Sequence, residues 1–272
     1  MSDVTRDATT ITGRTRLVAV LGDPVEQVRA PALLNRQFAA EGVDIVVIPL
    51  HVRPDDLETV VRGLQRTANL VGLLVTVPHK VDALRLADVR SEAAELAGGT
   101  NALRRLEDGS WHADNFDGAG FCAGLIEAGH QPHGTRAVLV GAGGAGAAIA
   151  PALLAAGVGH LVLHDTDEAR MKEVAGRMDL HWPGRVGTAT SPGLRSADMV
   201  VNATPLGMRP GDALPFDPAE LRPGALVADI IMKPRETRLL RRAAELGHPV
   251  LHGEPMLRHQ MDLYRSYFGA AR

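Results

Sequence analysis

Cysteine is nearly absent: one residue, Cys122, in a chain of 272. No internal disulfide framework and no cysteine metal cluster is available to it. Aromatic residues are scarce, at 3%, which leaves the cores to aliphatic side chains. The 11 histidines show no H-E-x-x-H or comparable ligand spacing, and no G-x-S-x-G elbow supports serine-hydrolase chemistry. No apolar run approaches the roughly 20 residues that span a bilayer. Neither sign of charge dominates: a net charge of -3 gives no electrostatic footprint for nucleic acid or an anionic membrane. The opening MSDVTRDATTITGRTR is polar and lacks an apolar signal core, so a frayed tail on a cytoplasmic protein is expected. What is present is ordinary globular composition, 45% hydrophobic and 22% charged, over a length that exceeds one comfortable core. Two domains are expected.

The stretch 137–165, AVLVGAGGAGAAIAPALLAAGVGHLVLHD, indicates what the chain binds. Residues 138–140 read as a buried parallel strand ending at Gly141, Ala142, Gly143, Gly144, Ala145 and Gly146, spaced G-x-G-x-x-G. Gly141 suits a tight turn, Gly143 lets the backbone approach a pyrophosphate, and Gly146 lets the next helix pack closely on its strand. The unpaired N–H groups of that helix face the phosphates. A second strand, 161–164, is closed by Asp165, 19 residues after Gly146. An acid there accepts hydrogen bonds from an adenosine ribose and repels a 2'-phosphate, so NAD rather than NADP is expected. The alternative is a surface Asp on an ordinary βα turn. Pro151 removes a backbone donor from the helix and predicts either a kink or a proline still within the first turns.

Upstream, residues 17–21 form a buried strand broken at Gly22-Asp23-Pro24. Helical spacing over 30–42 at Leu33, Leu34, Gln37 and Phe38 stops at Gly42. Strand 44–50 follows, then a helix opened by Pro54, Asp55 and Asp56 and running to about 66, then strand 71–77. This is a parallel β-α-β-α-β unit. It ends at Pro78, so Thr76, His79 and Lys80 lie at or just past a strand's carboxyl end, where open α/β sheets bind ligands. After a helix over 81–87 and a small-residue patch at 97–100, strands 102–106 and 110–113 flank Glu107-Asp108-Gly109, a hairpin signal. A helix over 119–128 leads into the second domain. Beyond the glycine loop come helix 167–178, strands 185–189, 199–202 and 225–230, a helix from about 235 to 246, and strand 249–251. The last helix, 254–268, is expected to fold back onto the first domain.

Lys80 and Asp117 both fall at element ends. A Lys amine beside an alcohol carbon takes its proton as hydride leaves, provided burial lowers its pKa from about 10.4. A neighbouring carboxylate opposes that fall while holding the ammonium in place. Taken singly, Lys80 has the solvated surface as its commoner fate, as any lysine does, and Asp117 is equally an N-cap. Asn202 and Thr204, at the head of NATPLGM, either reach a cofactor or cap the loop that Pro205 and Gly207 dictate.

Read together, GDPVEQVRAPALLN, VTVPHK, AGGTNALRRLEDG, ADNFDG, the glycine loop, NATPLGM and GEPMLRHQM occur in the order of the shikimate/quinate dehydrogenase family, which the chain resembles from about 18 to 267. The resemblance implies a two-domain α/β fold. Residues 1–117, completed by the helix in 253–272, would form the substrate domain, and 118–252 a Rossmann domain for NAD. By resemblance, Lys80 and Asp117 are the catalytic pair, Thr76, Asn101 and Gln260 hold substrate hydroxyls, and Gly253 lies where the backbone approaches the nicotinamide. Asp165 stands where NADP-using members carry Arg.

The chain departs from that family at one end of its substrate pocket. Two serines that bind the substrate carboxylate are replaced in Val28-Arg29-Ala30 before Pro31. Met232 replaces the tyrosine of D-x-x-Y-x-P, Leu74 the Asn before V-T-V-P, and Phe116 the Thr of N-T-D-G. An apolar end would leave a carboxylate desolvated and without partners, at a cost of several kcal/mol. The leading expectation is an NAD-dependent oxidoreductase acting on a ring alcohol of a shikimate- or quinate-like cyclic polyol, with the carboxylate recognised differently or absent. The alternatives are a shikimate or quinate dehydrogenase that uses Arg29 as the clamp, and a non-catalytic NAD-binding sensor. The expected partner is a small-molecule polyol, with neither nucleic acid nor membrane; monomer or homodimer is left open.

Overall fold

The computed structural model describes residues 10–191 and 193–269. The expected frayed tail lies outside the described residues over 1–9, as does the end of the chain over 270–272. Contacts divide the chain into two compact units. The first comprises Met1–Glu95, Gly99–Phe116 and Met261–Arg272, the second Leu96–Gly98 and Asp117–Gln260.

In the first unit, β1 (Arg16–Gly22), α1 (Ala30–Ala40), β2 (Ile45–His51), α2 (Leu57–Gln65) and β3 (Leu70–Val75) alternate, followed by α3 (Lys80–Leu84), β4 (Val89–Arg90), α4 (Glu92–Ala97), β5 (Ala102–Arg105) and β6 (Trp111–Asp114). The sheet order is β2-β1-β3-β5-β6-β4. β1 pairs in parallel with both β2 and β3, while the β5–β6 hairpin is antiparallel. Alternation decides the faces. Ala19 and Leu21 of β1 and Leu73 and Val75 of β3 share a core with Leu57 and Val61 of α2. Gly72, one residue out of phase with Leu73, faces the other way, and a Cβ there would fall 2.2 Å from the Phe268 ring.

The second unit holds α5 (Asp117–Glu127), β7 (Arg136–Val140), α6 (Gly144–Ala155), β8 (His160–His164), α7 (Glu168–Asp179), β9 (Val186–Thr188), β10 (Met199–Asn202), β11 (Leu226–Asp229), α8 (Arg238–Glu245) and β12 (Val250–Leu251). Its sheet is wholly parallel, in the order β12-β11-β10-β7-β8-β9. Counted from β7 this is 3-2-1-4-5-6, the doubly wound order whose switch point lies between β7 and β10. Leu139, Ile149, Leu153, Met171 and Val174 pack on one face, and Val138, Val200, Val227, Leu239 and Leu240 on the other. The last helix, α9 (Glu254–Gly269), divides between the units at Gln260/Met261.

Local differences from the sequence reading have local causes. β3 stops at Val75 rather than 77, although two backbone bonds to the β1 segment continue past it, Thr76 N–H to Leu21 O and Asp23 N–H to Val77 O, before Pro78, which has no N–H to give. Pro151 falls in the interior of α6, past its first turns, and is buried. Two short elements, β4 and α4, gave no periodic signal because two and six residues are too few to repeat one.

Candidate functional site

The carboxyl edge of the first sheet collects several of the residues singled out in the sequence. β1 feeds β2 on one side and β3 lies on its other side, so the edge above β1 and β3 is itself a switch point. Thr76 lies against the backbone there: a Cβ on Gly22 would come 2.7 Å from its Cγ2. Lys80 opens α3 and is half-buried. Its carbonyl accepts the Thr100 N–H at 2.8 Å, which ties it to the strand start bearing Asn101. Asn101 is 2% exposed, and its Oδ1 accepts the Phe116 N–H at 3.0 Å. At the head of α1, Val28 and Ala30 are half-buried while Arg29, the N-cap, is exposed, and no side chain caps the helix.

Phe116 is half-buried, and its ring stands edge-on to Tyr264 and Tyr267 of the last helix, with centroids 5.5 and 5.2 Å away. Leu74 likewise is buried within the sheet, at 3% exposure, paired with Val20 and Ala102.

In the second unit, two of the residues singled out are brought together: Gln260 Nε2 donates to Asp117 Oδ1 at 2.9 Å. Both are buried. Asp117 is the first residue of α5 rather than a residue before it. Glycines make this approach possible. A Cβ on Gly120 would lie 2.7 Å from Gln260 Cγ and 2.8 Å from the Met256 carbonyl oxygen, and one on Gly124 would lie 2.8 Å from Pro255.

Gly141 and Gly146 of the loop after β7 stand where a side chain would clash. Gly141 has φ +102, and a Cβ there would strike the backbone of Ala203; Gly146 backs onto the Gly141 carbonyl, where a Cβ would stand 1.9 Å away. Gly143 is the N-cap of α6, without a side-chain cap, and the space over it is open except for the Arg170 guanidinium at 4.0 Å. An uncapped helix start beneath open space fits a phosphate group. Ala142, Gly144 and Ala145 complete the turn. Asp165 faces it: Oδ2 accepts the Ala142 N–H at 2.6 Å and Oδ1 the Asp167 N–H at 2.8 Å.

Asn202 and Thr204 behave as loop-capping residues. Asn202 is 0% exposed; its Oδ1 accepts from Thr204 N and Oγ1, and its Nδ2 donates to Leu206 O and Asp229 Oδ1. Asp229 was missed in the sequence, where it reads as an ordinary strand-end acid. It is 1% exposed and accepts from Thr237 Oγ1 at 2.7 Å and Ile231 N at 3.1 Å. Burial pushes its carboxyl above the ordinary range, against the opposing effect of these donors. Gly253 packs on the same loop, where a Cβ would lie 2.5 Å from Ile230 O. Among the described residues no group of three or more His, Cys, Asp or Glu could hold a metal ion.

The glycine loop and switch point place this two-domain α/β chain in the class of doubly wound, dinucleotide-binding folds. Residues 20–103 match the family model described as the shikimate dehydrogenase substrate binding domain. The shikimate dehydrogenase (NADP(+)) of Rubrobacter xylanophilus is 41% identical over 268 residues, 95% of this chain and 93% of that protein. Among solved structures, shikimate 5-dehydrogenase from Listeria monocytogenes, in complex with shikimate and NAD, has a TM-score of 0.88 at 30% identity, covering 96% of this chain and 94% of that one. The ligand-free 5-ketofructose reductase of a Gluconobacter strain has a TM-score of 0.85 at 29% identity, covering 96% and 95%. The chain belongs to the shikimate dehydrogenase family.

Proposed function

We propose that the protein is an NAD-preferring dehydrogenase for a ring alcohol of a cyclic polyol, with a substrate end that does not require a carboxylate. The observation that carries the reading is the head of α1, where Val28 and Ala30 are half-buried and the one cation between them, Arg29, is exposed. A neighbour named for 5-ketofructose supports it, since that sugar has no carboxylate. In this reading Lys80 and Asp117 are the catalytic residues, with Lys80 handling the proton of the reacting hydroxyl. Thr76, Asn101 and Gln260 orient the ring, and Gln260 also fixes the rotamer of Asp117 through their hydrogen bond. The substrate domain is assigned to residues 1–117 with the last helix, the dinucleotide domain to 118–252.

The dinucleotide, when bound, supplies the hydride acceptor. The N-terminal amides of α6 and the bare backbone of Gly143 would hold its phosphates, with Gly253 beside the nicotinamide. Asp165 would accept the ribose hydroxyls with the lone pairs left after Ala142 and Asp167. Its charge opposes a 2'-phosphate.

A second reading keeps an acid substrate and NADP. The uncapped start of α1 with Arg29 beside it offers an anion partial positive charge, the Arg170 guanidinium lies near the glycine loop, and the Rubrobacter relative is named for shikimate and NADP(+). Steady-state turnover of shikimate, quinate and carboxylate-free cyclic polyols with each cofactor separates the two. Preference for neutral polyols with NAD is the expected result. Efficient turnover of the acids, lost in Arg29→Ala, would overturn it, and NAD binding with no turnover of any of them would leave a sensor.

A further inference from the structure

We propose that Asp229 is a positioning residue for the dinucleotide, latching the loops after β10 and β11 into the one arrangement against which the glycine loop is built. The inference rests on the dinucleotide reading above. Everything that meets the Asp229 carboxylate is a donor: the Thr237 hydroxyl at 2.7 Å, the Ile231 N–H at 3.1 Å and the Asn202 amide at 3.2 Å. Thr237 Oγ1 is itself an acceptor for Leu240 N–H, so its proton points to the carboxylate. An acceptor-only partner settles which way the Asn202 amide faces. Its NH2 must turn to Asp229 and Leu206 O, and its oxygen therefore turns to Thr204, where the backbone N–H at 3.0 Å and hydroxyl at 2.7 Å both donate to it. Thr204 Oγ1 then accepts the Leu206 N–H at 3.1 Å.

The chain of contacts continues to the proposed phosphate site. Ala203 and Thr204 form the wall against which Gly141 turns, 2.8 to 2.9 Å from where its Cβ would be. On the other side, Ile230 and Ile231, the latter held by its N–H to Asp229, form the wall against which Gly253 packs, at 2.5 to 2.9 Å. One buried carboxylate thus fixes two walls. Neither is a group that would touch the cofactor through Asp229 itself.

The test uses the full-length protein and NADH fluorescence. Asp229→Asn keeps the shape but removes the charge and one of the two acceptor atoms: its oxygen can still serve Asn202 and Ile231, and its NH2 then faces Thr237 Oγ1, whose proton loses its acceptor. The NADH dissociation constant is expected to rise about ten-fold, the value of one charge-assisted hydrogen bond, while the KM for the alcohol at saturating cofactor moves less than about two-fold. Should Asp229→Asn fail to fold, Thr204→Val opens the same latch at a half-buried loop position and is expected to weaken NADH binding by about three-fold or more. Unchanged affinity in the folded Asp229→Asn, or in Thr204→Val if the former does not fold, overturns the proposal, and so does an equal rise in the KM for the alcohol. Failure of the unaltered protein to bind NADH would instead overturn the dinucleotide reading on which the proposal stands.

Discussion

Val28 and Ala30 carry methyl groups at the two positions where the family resemblance leads one to expect hydroxyls. A carboxylate transferred to such a place loses water and gains no donor. Restoring both hydroxyls, Val28→Ser with Ala30→Ser, is therefore expected to raise kcat/KM for shikimate by about ten-fold or more. Neutral polyols should change by less than about two-fold; parallel steady-state assays read the difference. Asp165→Ser removes the negative charge facing the glycine loop but keeps an acceptor for the Ala142 N–H. NADP affinity is expected to rise about ten-fold relative to NAD, measured by competition with NADH. Lys80→Met keeps the bulk of the side chain and removes its amine. The expected loss is about 100- to 10,000-fold in kcat with NADH affinity unchanged, and a smaller loss would remove Lys80 from the proton step.

Helix α5 shows why elements that look interchangeable in the sequence are not. Its glycines at 118, 120 and 124 are close-approach positions, toward Ala148 of α6 and toward Gln260, Met256 and Pro255 of α9. Alanine normally improves a helix by about 1 kcal/mol over glycine. At Gly120 and Gly124 its methyl would run into backbone, so overpacking outweighs propensity, and thermal melts are expected to show a net loss of about 1–2 kcal/mol. Gly63 in α2 and Gly176 in α7 have nothing within 4 Å of a Cβ. The same substitution there is expected to gain about 0.5–1 kcal/mol. Equal signs at all four positions would refute the argument. Phe116→Thr, which restores the family pattern, is expected to cost about 2 kcal/mol through lost contact with Tyr264 and Tyr267 while leaving acid turnover as it was.

Over the whole molecule, the single thiol reports on integrity. Burial among Leu96, Phe121, Leu125 and their neighbours pushes the Cys122 thiol from 9.0 up to about 12. Because the folded value is the higher one, its contribution to stability is fully present below the unfolded value of 9.0 and is lost as pH rises toward 12. The melting temperature of the native protein is thus expected to fall relative to that of Cys122→Ala between about pH 8 and about pH 10. The thiolate is the nucleophile, so iodoacetamide at neutral pH should label Cys122 at the rate of unfolding, not at the rate of an exposed thiol.

What could be read from the chain alone were features encoded locally or by a repeating pattern. These are the parallel α/β alternation, the glycine loop with the strand and helix that flank it, the Asp-Gly hairpin, and the strand end at Asn202. Turn residues and hydrophobic periodicity act within a few residues, and so they are visible in a string of letters. What only the tertiary structure decided depends on groups far apart in sequence. Gln260 meets Asp117 across 143 residues, Phe116 packs against two tyrosines of the last helix, and Asp229 becomes a hub because Asn202 and Thr237 arrive beside it. Burial and hydrogen-bond partnership are properties of a side chain's neighbours, and neighbours are set by packing.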